Sequence, residues 1–331
     1  MSKHKFPYKW YLKDGYPLKN GLKVFGTFIC GGGSTMGYKL AGFEHLGGVE
    51  IDPPIADVYK TNHNPKYLFV EDIREFAKRN EYPKDLYNLD ILDGSPPCSS
   101  FSMAGNREKD WGKTKVFREG QAEQRLDDLF FDYIALAKKL QPKVVIAENV
   151  KGLIQGNAKT YVHRIKKEFE LAGYKVQLFL LNAASMGVPQ RRERVFFIAK
   201  RKDLQLPELK LSFNEKEIIF SKISDNNDKK CDLTNVYIKY YSEAKEGESV
   251  GKFKSSRKLK MNAVANTITS AGNTFHPLIA RNLNKKELCL AGSYPLDYNF
   301  GTLQPKYLIG MSVPPVMTAQ IAHEIYLQWL K

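Results

Sequence analysis

The sequence predicts an α/β fold, a mostly parallel sheet covered by helices on both faces, followed by a smaller, irregular domain. Three observations predict it. From about residue 22 to residue 200, short apolar runs alternate with segments of helical period, as in a parallel sheet with crossover helices. The glycine cluster Gly31-Gly32-Gly33, Glu50, Asp93 and Glu148 all fall at the carboxyl ends of such runs, where open α/β sheets bind ligands. After Lys200 the alternation stops and the chain becomes polar and lysine-rich.

The elements follow in order. "LKVFGTFI" reads as a first strand, ending at the glycine cluster, with a helix-like segment to Ala41. "GGVEID" and "YNLDILD" read as further strands, the second ending just before "SPPC". "DDLFFDYIALAKKLQ" has helical periodicity, and "PKVVIAEN" is a strand of the fully buried type. "AKTYVHRIKKEFELAGY" is an amphipathic helix, followed by the strands "KVQLFLLNA" and "RVFFIAK". Residues 201–275 hold short irregular segments, and "PPVMTAQIAHEIYLQWLK" closes the chain as a helix with prolines at its start.

Composition narrows the class. The 331 residues carry 51 Lys and Arg against 36 Asp and Glu, a formal net charge of +15. Such an excess suits a polyanionic partner, since clustered cations release counterions from a phosphate backbone; a merely basic protein is the alternative. No apolar run approaches the ~18 residues of a membrane span. The basic, aromatic N-terminus lacks the apolar core of a signal peptide, so the cytoplasm is the expected compartment. Cys30, Cys98, Cys231 and Cys289 lie far apart without metal-ligand spacing, so neither a zinc site nor a disulfide framework is expected.

Four constellations carry chemistry. In "LDGSPPCSSFSMAG", two prolines fix the backbone before Cys98, while small residues beyond it leave that side free to move. This is the setting of a thiol at the edge of a cleft. In "FICGGGSTMGYKLAGF", glycines stand between strand and helix, and Glu50 ends the next strand as an acceptor suited to ribose hydroxyls. A tight turn without ligand would look similar, but no Gly-Lys-Ser/Thr motif argues for phosphate. In "IAENVKGL", Glu148 follows apolar residues; burial raises a carboxyl pKa and would let it hold a proton near neutrality. In "PQRRERVFF", Arg192 and Arg194 enter a strand at period-two spacing, so they share a face and could clamp an anion or a carbonyl oxygen. Taken singly, the glutamate could be a loop carboxylate and the arginines a surface pair.

Taken together, the order FxxGGG, PPC, ENV, QRRER, a basic variable region and "IGMSVPP" resembles the DNA cytosine-C5 methyltransferases of bacterial and phage restriction–modification systems. The likeness runs from Phe28 to Pro315. It implies a Rossmann-like, S-adenosylmethionine-dependent methyltransferase sheet over residues 20–200 and a target-recognition domain over residues 201–300. Residues 301–331 would then return to the catalytic domain. By the same resemblance Cys98 matches the nucleophile, Glu148 the glutamate of ENV, and Arg192 and Arg194 the arginines of QxRxR. Phe28, Gly31, Gly32 and Gly33 match the cofactor turn, Glu50 the ribose acceptor and Ile51 the adenine packer. Asp72 and Ile73 match the pair that meets adenine, while Pro97, Leu129, Ser312 and Val313 match further cofactor-lining positions. "RNLNKKE" matches the R-x-L-T-x-R-E element. The chain departs from the pattern at Gly26, Cys30, Ser99, Met311 and Lys286, where the family usually has an acid, glycine, glutamine, asparagine and arginine.

The implied reaction is methylation at carbon 5 of a cytosine flipped from double-stranded DNA, with the segment after Cys98, including Trp111, as a closing loop. The implied partners are DNA and a cognate restriction endonuclease encoded nearby, with no metal and no membrane, and the implied state is a monomer. Two other readings stay open. One is the related class that methylates transfer RNA, whose Cys-Phe-Thr element is absent here; Cys231 is followed by "DLTN". The other is a catalytically silent DNA-binding homologue.

Overall fold

Along each central strand successive side chains enter two different cores, as the pleat requires. In the computed structural model, which describes residues 4–97, 128–155, 159–251 and 256–331 and the backbone of two short strands between them, these strands form one seven-stranded sheet. Its strands are β1 (Lys23–Thr27), β2 (Glu44–Glu50), β3 (Tyr67–Val70) and β4 (Ile91–Gly94), then β7 (Val144–Val150), β8 (Tyr174–Asn182) and β9 (Glu193–Arg201). The remaining strands are short pairs, β5 (Thr114–Lys115) with β6 (Gln124–Arg125) and β10 (Arg257–Lys258) with β11 (Thr274–Phe275).

The strand order is β3-β2-β1-β4-β7-β9-β8. The first five run parallel, and β9 lies antiparallel to both β7 and β8. The parallel strands therefore end together, and β9 begins where β7 ends, with Arg194 opposite Val150.

One face carries Phe25, Leu92, Val145 and Phe197. They pack against α3 (Ile73–Lys78), α4 (Leu129–Leu140) and α5 (Lys159–Leu171). The other face carries Val24, Ile91, Val144, Ile146, Phe196 and Ile198. It is covered by α1 (Gly33–Leu40) and α9 (Pro315–Ile325). Each such fully buried side chain stabilises the fold by about 1.5–3 kcal/mol. The helix α9 reaches the sheet because Gly37 leaves room for it: a Cβ there would run into Pro315 O and Thr318 Cβ.

Between Arg201 and α9 the described helices are short: α6 (Asn235–Glu243), α7 (Lys285–Ala291) and α8 (Pro305–Met311). A third core joins this region to α2 (Pro53–His63), α1 and the N-terminal segment, with Trp10, Ile55, Phe220, Ile268, Leu283 and Leu308 buried together. Trp10 Nε1 donates to Ser293 O at 3.0 Å, and the Leu12 and Lys13 amides donate to Asp297. Among the described residues no helix is long and apolar enough to cross a membrane.

Candidate active site

Where β1 meets α1, the backbone makes a turn with Phe28, Cys30 and Gly32 all in the left-handed region, at φ 53°, 48° and 76°. Only glycine adopts this conformation without steric cost, so two of the three positions are strained. The turn forms one wall of an open cavity at the carboxyl ends of β1, β2 and β4. Glu50 faces the cavity from the end of β2. Its Oε2 accepts the Cys30 amide at 2.9 Å and its Oε1 the Asp52 amide at 3.0 Å. Burial pushes the Glu50 carboxyl above its ordinary range, and these two amides oppose the shift. Asp72 caps α3, accepting the Arg74 amide at 2.9 Å, and stands on the same wall.

A second group of residues gathers at the ends of β4 and β7. Arg194 Nε lies 2.9 Å from Glu148 Oε1, both side chains mostly buried. Burial pulls the Arg194 guanidinium below its usual range, while Glu148 acts in the opposite sense. The neighbouring Asn149, itself buried, donates to Pro96 O at 3.0 Å. This bond ties the "ENV" strand end to the "PP" dipeptide, and Pro97 lines the cavity. Asp93 at the end of β4 is buried and accepts the Tyr38 hydroxyl at 2.9 Å.

Arg192 behaves differently from its neighbour. It is 2% exposed and donates to Ile268 O at 3.1 Å and Gly310 O at 3.0 Å. Burial, reinforced by the charge of Arg194, brings its guanidinium down to about 9. Its contacts hold the segment before β11 and the end of α8 to the start of β9, whereas Arg194 takes the carboxylate.

Of the residues singled out for a cofactor, Phe28, Glu50, Ile51, Asp72, Ile73, Pro97 and Leu129 line the cavity together. The three glycines lie behind the turn: a Cβ on Gly32 would meet the His63 ring, and one on Gly33 the Val313 carbonyl. Ser312 is 3.8 Å from Cys30 Sγ, while Tyr307 and Met311 form the wall on that side. Cys98 and most of the loop after it, with Ser99 and Trp111, lie outside the described residues. Sequence reasoning did not find Asn149, Tyr307 or Tyr38 as parts of this site. Asn149 sits inside the quoted "ENV", and its adjacency to Glu148 was the available signal. No group of three or more potential metal ligands occurs among the described residues.

The model of the C-5 cytosine-specific DNA methylase family matches residues 22–327. The chain is 39% identical over 198 residues to the Type II methyltransferase M.FnuDI of Fusobacterium nucleatum, covering 59% of this chain and 52% of that protein. It is 27% identical to the Type II methyltransferase M1.HphI of Haemophilus parahaemolyticus, covering 92% and 86%. The match thus spans about half the length of the first relative and most of the second. Among solved structures, a prophage-encoded DNA modification methyltransferase from E. coli superposes with a TM-score of 0.72 at 19% identity, covering 94% of this chain and 100% of that one. DNMT2 of Spodoptera frugiperda gives 0.66 at 17% identity, covering 92% and 100%. At these identities the structures establish the fold.

Proposed function

The chain belongs to the C-5 cytosine-specific DNA methylase family, and we propose that it methylates carbon 5 of a cytosine flipped out of a short, specific duplex DNA sequence. The observation that carries this reading is the Glu148–Arg194 pair at 2.9 Å, tied through Asn149 and Pro96 to the residues that lead into Cys98. Beside it lies a cavity whose wall suits a nucleoside.

The wall fits S-adenosylmethionine. After accepting one amide on each oxygen, Glu50 retains lone pairs for two ribose hydroxyls. Phe28, Ile51, Ile73 and Leu129 offer apolar surface to a base, and Asp72 an acceptor for an exocyclic amine. When bound, S-adenosylmethionine supplies an electrophilic methyl group.

Carbon 5 of cytosine is a poor nucleophile, and covalent catalysis divides the difficulty. The Cys98 thiolate adds to carbon 6, forming a C–S bond and moving the electron pair towards carbon 5. Glu148 stabilises protonation at ring nitrogen 3 as charge builds there. Arg194 holds the Glu148 carboxylate and reaches the O2 carbonyl, and Arg192 braces the strand start beneath it. Carbon 5 then takes the methyl group as the sulfonium–methyl bond breaks, its electron pair staying on the sulfur, which leaves as a neutral thioether. A base, with water as the candidate, removes the carbon 5 proton, and the C–S bond breaks to regenerate the thiolate and release 5-methylcytosine. A stacked base cannot be attacked from its face, so the cytosine must leave the duplex, at a cost of a few kcal/mol. Residues 201–300 read the target. A monomer with a cognate endonuclease encoded nearby completes the proposal.

The test is methyl transfer from labelled S-adenosylmethionine to varied duplexes, followed by sequencing for 5-methylcytosine. We expect one short motif to be marked and Cys98→Ser to leave no more than a few per cent of the activity. Methylation of transfer RNA alone, or full activity in Cys98→Ser, would overturn the reading.

A further inference from the structure

The strained turn beside the cavity is held from behind by residues far away in the chain. Gly31 lies between Cys30 and Gly32, both left-handed. Its carbonyl accepts the Tyr298 hydroxyl at 2.5 Å and lies 3.3 Å from His63 Nε2. A carbonyl only accepts, so His63 carries its proton on Nε2. Its Nδ1 is then a lone pair, which agrees with the absence of any hydrogen-bond partner for that atom among the described residues. Burial favours the neutral ring.

Tyr294, in the same segment as Tyr298, reaches the opposite wall. Its hydroxyl donates to Ser312 Oγ at 2.6 Å, and Ser312 Oγ donates in turn to Leu308 O at 2.8 Å. That hydrogen bond holds the end of α8, which carries the wall residues Tyr307 and Met311. Both tyrosines are fully buried, with ring centroids 5.1 Å apart, and Phe300 packs against each. The aromatic cluster therefore reaches both walls of the cavity, the Gly31 carbonyl through Tyr298 and Ser312 through Tyr294. Strained backbone persists only where its surroundings over-determine it. Here Glu50 holds the Cys30 amide from the front, and Tyr298 and His63 hold the Gly31 carbonyl from the back.

We propose that Tyr298 and Tyr294 are positioning residues of the cofactor site: through their hydroxyls they set the Cys30–Gly31 turn and the end of α8 at the spacing that S-adenosylmethionine requires. The inference rests on the reading of this cavity as the cofactor site. It assigns to the segment between α7 and α8 a part in cofactor affinity, although none of its residues lines the cavity wall.

The experiment compares full-length wild type, Tyr298→Phe, Tyr294→Phe and Glu50→Ala. It measures calorimetric affinity for S-adenosylmethionine, thermal melting, and kcat and KM for cofactor and DNA. Removing one neutral hydrogen bond that shapes a site is expected to raise the cofactor Kd and KM about fivefold in Tyr298→Phe. The change in Tyr294→Phe should be in the same direction. The kcat at saturating cofactor and the KM for DNA should stay within about twofold, a split that general loss of stability does not produce. Unchanged cofactor affinity in both variants, with or without a lower melting temperature, overturns the inference while weakened binding in Glu50→Ala keeps the cavity assignment standing. Unchanged affinity in Glu50→Ala, or no binding by wild type, overturns the cavity assignment and the inference with it. Should Tyr298→Phe not fold, His63→Gln disturbs the second contact to the same carbonyl and carries the same expectation.

Discussion

Glu148, Arg194 and Asp93 stand close together at the ends of β4 and β7, and each meets burial in its own way. Glu148 and Arg194 neutralise one another. Among the described residues no cation pairs with Asp93. Burial, offset only partly by Tyr38 and Ser34 and reinforced by the Glu148 charge, pushes its carboxyl up to about 7. An unfolded aspartate titrates near ~3.9. As pH rises from about 4 towards 7, the unfolded chain therefore releases a proton that the folded chain keeps. The stability contributed by protonated Asp93 is complete below about 4 and is lost as pH rises through about 7. Asp93→Asn lacks this dependence, so relative to wild type it should gain about 2–3 kcal/mol between pH 5 and pH 8. Urea denaturation at both values measures this, and parallel profiles would contradict it. The residue scale is also where sequence reading reached its limit. Glu50 and Glu148 were legible because each ends an apolar run, and that position has a chemical meaning. Arg192 and Arg194 look equivalent in "QRRER", yet one serves backbone carbonyls and the other a carboxylate. Their difference depends on residues 268 and 310, which spacing within the motif does not reveal.

At the scale of elements, legibility followed burial. The strands β1, β7 and β9 and the helices α4 and α5 were readable because strong apolar periodicity accompanies two-sided or amphipathic burial. By contrast β3, "YLFV", is a half-exposed edge strand with no alternation. The short α3, α7 and α8 offer too few turns for a period to emerge. The helix α9 packs on α1, and Gly37 is where the two approach. Gly37→Ala would gain up to about 1 kcal/mol of helix propensity, but its Cβ would meet backbone of the neighbouring helix. Overpacking of this kind costs about 1–3 kcal/mol, so the net effect should be destabilising. A lower urea midpoint at unchanged m-value checks this; a higher midpoint would show that α9 can move away without cost. The tyrosines behind the glycine turn were not legible at all. Tyr298 and Gly31 meet across 267 positions of sequence, and only the folded sheet brings them together.

At the scale of the whole molecule, the net charge of +15 and the lysine-rich region after Lys200 point the same way. Lys229, Lys230 and Lys239 are exposed there. If they meet phosphates, their joint replacement by alanine should weaken binding to all duplexes alike. It should also flatten the slope of log affinity against log salt by up to about 0.9 per lysine, leaving kcat on saturating DNA within about twofold. An unchanged slope would place the DNA elsewhere. The central claim is the covalent step, and one measurement addresses it directly. A duplex carrying the methylated motif with 5-fluorocytosine at the target position is incubated with protein and S-adenosylmethionine, denatured, and analysed by mass spectrometry. Fluorine cannot leave as a proton does, so the C–S bond should persist, and the DNA adduct should map to Cys98 and vanish in Cys98→Ser. Turnover of the fluorinated duplex without any adduct, or an adduct on another residue, would contradict the account.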